Sequence, residues 1–145
     1  MTYTELESKI GKQIESEWHQ HKKGNGWVHK NATVDETVFI SGIVFSGKVS
    51  GNAWVSENAW VYGDARVYGD ARVYGDAWKK SPLFIVGSRF SMTNCKCGHI
   101  QIGCLCHTFE DWKTEGLKLA DENNFTPEEI EEYTAYIDLF IKIGK

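Results

Sequence analysis

Six residues in the second half of the chain have side chains that could act together: Cys95, Cys97, His99, Cys104, Cys106 and His107. In Cys-x-Cys on a strand both thiols face the same way. The pairs Cys95/Cys97 and Cys104/Cys106 therefore predict four thiolates converging on one structural zinc ion. The more frequent zinc spacing is Cys-x2-Cys, and reduced cysteines also serve as small packing residues, so both readings stand. A second chemistry is nucleophilic, with His107 as the base for Cys104. No third orienting group is visible beside that pair.

A different chemistry is written into residues 57–78, ENAWVYGDARVYGDARVYGDAW. Set in sixes from Val49 the chain reads VSGNAW, VSENAW, VYGDAR, VYGDAR, VYGDAW, with Val always first and Ala always fifth. Residues two apart share a face of an extended chain, so each Ala and the following Val point inward together. The residue between them points outward: Trp54, Trp60, Arg66, Arg72 and Trp78. The residue after each Val does too: Ser50, Ser56, Tyr62, Tyr68 and Tyr74. Gly-Asn, Gly-Asp and Glu-Asn in between tolerate tight corners. Each hexad is then one short strand and one corner, three hexads close a triangular coil, and positions eighteen apart stack. That register sets Trp54 under Arg72, Trp60 under Trp78 and Ser56 under Tyr74, in rows about 4.8 Å apart. Arg66 and Tyr68 fall above Lys48 and Ser50.

Trp and Tyr can stack a base, and Arg can hold a phosphate bidentately. Trp54, Trp60, Tyr62, Arg66, Tyr68, Arg72 and Tyr74 are therefore the candidate ligand-binding residues. Aromatics and Arg are also the types enriched where subunits meet, so the rows equally predict an oligomer interface.

Upstream, VHKNAT, VDETVF and ISGIVF (from Val28, Val34 and Ile40) fit the template loosely. They are out of phase with the clean hexads by three residues, which predicts a small bulge or corner insertion at Ser46, Gly47 and Lys48. A β-hairpin array is the competing fold, but a fixed short period favours stacking. Residues 28–78 resemble the hexapeptide-repeat superfamily, the left-handed parallel β-helix. The resemblance implies a homotrimer and two possible chemistries. Its acyltransferases use a histidine base and a long loop; its carbonic anhydrases use three histidines around a metal. This stretch holds one histidine, His29, and no long insertion. That excludes the three-histidine site and leaves a His29 acyltransferase as the enzymatic alternative.

Thr4-x-x-Glu7 reads as a capping box, followed by Leu6, Ile10, Ile14 and Trp18 at spacing four. An amphipathic helix over about residues 4–22 is expected, capping the coil or joining symmetry mates. After the repeats, Leu83–Val86, Arg89–Met92 and His99–Ile102 read as short strands. Thr108 starts a helix through about Glu122. Thr126-Pro127-Glu128-Glu129 starts another, lined by Ile130, Tyr133, Ile137 and Phe140. Residues 87–112 are also similar to the module attached to hexapeptide repeats in small phage and prophage proteins. The likeness rests on Ile100-x-Ile102-Gly103-Cys104, His107 and Trp112. It implies a phage setting and no particular reaction; if only Cys104 belongs to the pattern, the other three cysteines are incidental.

The expected organisation is mainly β with flanking helices: an N-terminal amphipathic helix (1–24), a left-handed β-helix (25–80), and a C-terminal β-hairpin and two-helix module (81–145). The net charge is −4. Residues 107–145 carry ten acids and four bases, or −6, and the remainder +2. That argues against a general binder of duplex nucleic acid. No apolar run is long enough to span a bilayer, and no signal-peptide core opens the chain, so the cytoplasm (a host's, if phage-encoded) is the expected compartment. The functional expectation is a non-catalytic homotrimer that holds a small anionic or nucleotide-like ligand between subunits, or blocks a host defence protein. Zinc is the one cofactor in question. A purely structural assembly module is the remaining alternative.

Overall fold

The computed structural model describes residues 1–57 and 59–145 and divides the chain into two compact units, 1–81 and 82–145. The Asn58 half of the expected Glu57-Asn58 corner lies outside the described residues; Glu57 itself has the positive φ that a corner needs.

The first unit opens with α1 (Tyr3–Ile10) and β1 (Trp18–Gln20). Ten short strands follow: β2 (Trp27–His29), β3 (Ala32–Val34), β4 (Phe39–Ile40), β5 (Ile43–Val44), β6 (Gly47–Val49), β7 (Trp54–Ser56), β8 (Trp60–Val61), β9 (Arg66–Val67), β10 (Arg72–Tyr74) and β11 (Ala77–Trp78). They stack in parallel as three faces, β2-β5-β8-β11, β3-β6-β9 and β4-β7-β10. This is a β-solenoid of about three turns. The template's inward positions form its core: Val49, Val55, Val61, Val67 and Val73, with Ala53, Ala59, Ala65 and Ala71, are fully buried. Small Ala beside Val keeps the prism thin, and Gly at φ near +60° turns its corners at residues 63, 69 and 75.

Three expectations are corrected. The phase slip between Ile40 and Val49 is not an inserted bulge. Val44, fully buried on β5, is an inward position of its own, four residues after Ile40 and five before Val49. Two shortened sides replace two hexads, so the slip is a deletion. Glycine makes the shortening possible: a Cβ on Gly42 would lie 2.3 Å from the Ala59 carbonyl oxygen, and one on Gly47 2.4 Å from that of Ala65.

The second correction concerns Trp78. Trp60 pairs with Ala77, and Trp78 with Val61. The Trp60 N–H bonds the Asp76 carbonyl, whereas the equivalent Trp54 N–H bonds that of Ala71. The last corner is thus one residue short. A one-residue slip turns a strand's side chains to the opposite face, so Trp78 points inward and is only 2% exposed.

The third correction is the N-terminal helix, which ends at Ile10 rather than near residue 22. Gly11, at φ +82°, terminates it, and its N–H bonds the Glu7 carbonyl. The capping box is Thr2 and Glu5, two residues earlier than Thr4 and Glu7. Trp18 belongs instead to β1, which pairs antiparallel with β2 through Trp18 and His29.

The second unit is an antiparallel sheet, β12 (Phe84–Val86), β13 (Ser91–Lys96), β14 (His99–Ile102) and β15 (Leu105–Thr108), in that order, followed by α2 (Phe109–Glu122) and α3 (Pro127–Ile143). The strand expected at Arg89–Met92 begins at Ser91, and β15 is an addition to the expected set. Thr108 and Thr126 cap the two helices, each with a reciprocal acidic partner. Met92, Ile100, Ile102, Trp112, Tyr133 and Phe140 form the core. No helix among the described residues is long and apolar enough to cross a membrane.

Candidate binding surface

The three-faced stack decides which outward side chains meet. On the β4-β7-β10 face, Phe39, Trp54 and Arg72 are in register. The Phe39 and Trp54 rings are stacked at 4.4 Å and 24°. The Arg72 guanidinium lies 5.3 Å from the Trp54 ring centroid. Parallel pairing sets the spacing; ring polarisability and the cationic cap make the column favourable, at roughly 0.5–1 kcal/mol for an exposed cation–π pair. Trp54 remains 40% exposed. The Trp54–Arg72 pair follows the eighteen-residue spacing. Phe39 was not among the sequence candidates, although it fills the sixth slot of VDETVF, the slot Trp54 fills in VSGNAW.

On the β3-β6-β9 face, Lys48 pairs with Arg66, and both are exposed. Tyr68, which follows inward Val67, is 49% exposed. Like charges directly opposite each other are unfavourable unless a counter-charge joins them.

The β2-β5-β8-β11 face is different. Its outward column is Trp27, Ile43, Trp60 and Ala77. The N-terminal segment covers it: Leu6, Trp18 and Ile43 are buried together, with Tyr3, Trp27, Phe45 and Trp60 packed around them. Trp27 Nε1 donates to the Met1 carbonyl at 2.9 Å. Tyr62 leans on Trp60, their centroids 5.3 Å apart. Trp60 and Tyr62 therefore sit beside a covered face, away from the Arg72 column, and Trp78 is inside. Consecutive hexads occupy consecutive faces, so the sequence candidates are spread over all three.

His29 is buried at the edge of the covered face. Its ring stacks on Phe45 at 4.8 Å and 10°. Nδ1 accepts the Asn31 N–H at 3.2 Å, which leaves the proton on Nε2 to be donated to Glu17 at 3.2 Å. Hydrogen bonding by Lys30, and then by His29, holds the Glu17 carboxyl below the usual glutamate range. Both ring nitrogens are committed within the fold, and neither is offered to a substrate.

The four cysteines do not gather. Cys95 and Cys106 bring their sulfurs to 3.1 Å. Cys97 and Cys104 sit in the turns at opposite ends of β14, so the length of that strand, about 13 Å at ~3.3 Å per residue, separates them. Among the described residues no group of three or more His, Cys, Asp or Glu is placed to hold a metal. The Cys-x-Cys argument fails because neither Cys97 nor Cys104 lies on a strand. The bond from Cys106, together with burial, raises the Cys95 thiol pKa far above its ordinary value. No hydrogen bond joins Cys104 to His107 among the described residues; the His107 ring meets Trp112 edge-on at 5.1 Å. Ile100, Ile102 and Trp112 are core, and Gly103 turns the chain at φ +56°.

A parallel solenoid with Val-Ala rungs and Gly-Asp corners defines a β-helix repeat protein. Residues 65–79, the last two clean repeats, match the family model described as YdcK beta solenoid repeat. Comparisons with curated proteins and with solved structures give no match.

Proposed function

We propose that the protein is a non-catalytic homotrimeric binding module, phage-encoded and acting in the host cytoplasm, that holds a small anionic, nucleotide-like ligand on its solenoid. The carrying observation is the Phe39–Trp54–Arg72 column on a face that α1 leaves open. It combines a flat apolar surface with a guanidinium, the pair of groups that a base and a phosphate need. The Lys48–Arg66 pair supports the same charge preference, since an anion would relieve two adjacent cations. The commitments of His29, and the lack of a Cys104–His107 hydrogen bond among the described residues, favour binding over catalysis. The phage setting rests on the likeness of residues 87–112, whose shared positions here are mostly core and turn.

The test is calorimetry against cyclic and linear nucleotides, with sedimentation in parallel, on wild type, Trp54→Ala, Arg66→Ala and Arg72→Ala. Trp54→Ala and Arg72→Ala are expected to stay trimeric and lose affinity about tenfold or more, equivalent to ~1.4 kcal/mol. If they fall apart instead, the column is a subunit contact and the protein an assembly module. If wild type binds no nucleotide, blocking of a host protein becomes the better reading.

A further inference from the structure

The second unit contains a cavity of about 290 Å³ between α2, α3 and the turn joining β14 to β15. At ~30 Å³ per water it has room for about ten water-sized groups. Its walls are chiefly apolar and aromatic: Phe90, Trp112, Leu119, Phe125, Tyr133 and Ile137. The two polar tips among them are satisfied elsewhere. Trp112 Nε1 donates to the Ile100 carbonyl at 2.9 Å. The Tyr133 hydroxyl receives the Phe90 N–H at 2.6 Å and donates to the Phe90 carbonyl at 3.0 Å. The rings are thereby fixed, and the site is formed in advance of any ligand.

Gly116 adds an independent observation. It stands inside α2, where glycine weakens a helix relative to alanine. A Cβ there would meet nothing within 4 Å, so close packing does not require glycine. What the missing side chain provides is open space beside the cavity that Gly116 helps to line. The rim exposes Leu117 (66%) and Leu105.

The polar groups set the ligand class. Lys113, in the first half of α2, and Asp138, in the second half of α3, both line the cavity. The short Asn123–Thr126 connection folds the helices back on each other, which brings these two charges to one end. Neither takes part in an ion pair among the described residues. Residues 82–145 carry ten acids against six bases, or −4, so the surrounding field opposes an anionic head.

We propose that this cavity is a second binding site, independent of the solenoid face, for a small amphiphile with an aliphatic or aromatic body and an uncharged or cationic polar end. The test titrates the full-length protein with the neutral dye N-phenyl-1-naphthylamine and competes it with 1-decanol, decylamine and decanoate. Saturable binding of one dye per chain is expected, displaced by the alcohol and the amine about tenfold or more better than by the carboxylate, a ~1.4 kcal/mol preference. Gly116→Leu inserts a side chain into the open volume; it should raise the melting temperature and weaken the dye by about tenfold or more. Bound dye should also slow alkylation of Cys104, which lines the cavity, and leave Cys97 unaffected. Absence of saturable binding, equal binding by Gly116→Leu, or unprotected Cys104 overturns the site. Equal displacement by decanoate overturns the ligand class. Dye uptake that appears only on dilution to monomer assigns the cavity to a second copy of the chain and overturns the small-molecule reading.

Discussion

Replacing Trp78 by alanine tests the one-residue slip that ends the solenoid. In the observed register Trp78 is opposite inward Val61 and 2% exposed. A buried Trp removes roughly 150–250 Å² from water. At ~25 cal/mol per Å² that is about 4–6 kcal/mol, an upper bound because unfolded chains already bury some surface. Core truncations of this kind cost about 3–5 kcal/mol. Trp54→Ala is the matched control. That side chain is 40% exposed and loses one stacked ring and one cation–π contact, together about 1–2 kcal/mol. With a urea m-value of about 2 kcal/mol/M, Trp78→Ala should lower the midpoint by roughly 1.5–2.5 M and Trp54→Ala by about 0.5–1 M. Tryptophan fluorescence at fixed protein concentration is a suitable readout, because five of the six tryptophans lie in the first unit and only Trp112 in the second. If Trp78→Ala costs no more than Trp54→Ala, the slip is wrong and Trp78 stands outward over Trp60.

Gly47→Ala should destabilise the solenoid by about 1–3 kcal/mol, since φ is +90° and the new Cβ would collide with the Ala65 carbonyl; Gly75→Asn, where the nearest atom is 3.8 Å from a Cβ, should cost well under half as much by the same urea titration. Bonds from the Ser88 hydroxyl and backbone N–H hold the Glu132 carboxyl below its ordinary range. A depressed carboxyl stabilises the fold fully above its unfolded pKa and loses that contribution as pH falls through the folded one; Glu132→Gln should flatten the acid limb of the second unit's stability curve, and an unchanged limb refutes the clamp. Three thiols should react promptly with a disulfide reagent in the native protein and the fourth, Cys95, only on unfolding, because it is fully buried and its pKa is raised; four fast thiols would contradict this.

What the sequence made legible followed from strict local rules. Val and Ala at positions one and five specify a strand with two inward side chains, and that rule holds from Val49 to Val73. The helix starts at Thr108 and Thr126 were readable because their capping partners lie three residues on. Failures came where tertiary pairing overrode local period. Trp18 has helical spacing from Leu6, but Gly11 intervenes and β2 offers an open edge. Val44 was hidden because ISGIVF satisfies the hexad template while actually containing a corner. Trp78 obeys the template letter for letter and still faces inward, because the corner before it lost a residue that the repeat does not mark. The cysteine pattern misled because Cys-x-Cys shares a face only on a strand, and the sheet turns at Cys97 and Cys104.

The near-identity of the last three hexads is a property of the core and not of any one face. Val61–Arg66, Val67–Arg72 and Val73–Trp78 occupy successive faces, so their shared letters never stack on one another. What stacks is a residue with its neighbour from the turn below: Arg72 on Trp54, Trp54 on Phe39, Arg66 on Lys48. Along each face the inward slots stay aliphatic while the sixth slot changes from ring to ring to guanidinium, or from ammonium to guanidinium. Fixed inward letters preserve the coil, and the outward slot is free to vary without cost to it. Variation in outward chemistry is therefore written down the faces, across turns, and not along the repeat. On the β2 face the same outward slot carries Trp27, Ile43 and Trp60, and there the chain covers it with its own helix. The Phe39–Trp54–Arg72 column has the same apolar start but ends in a charge, which an apolar helix could cover only at the cost of burying it.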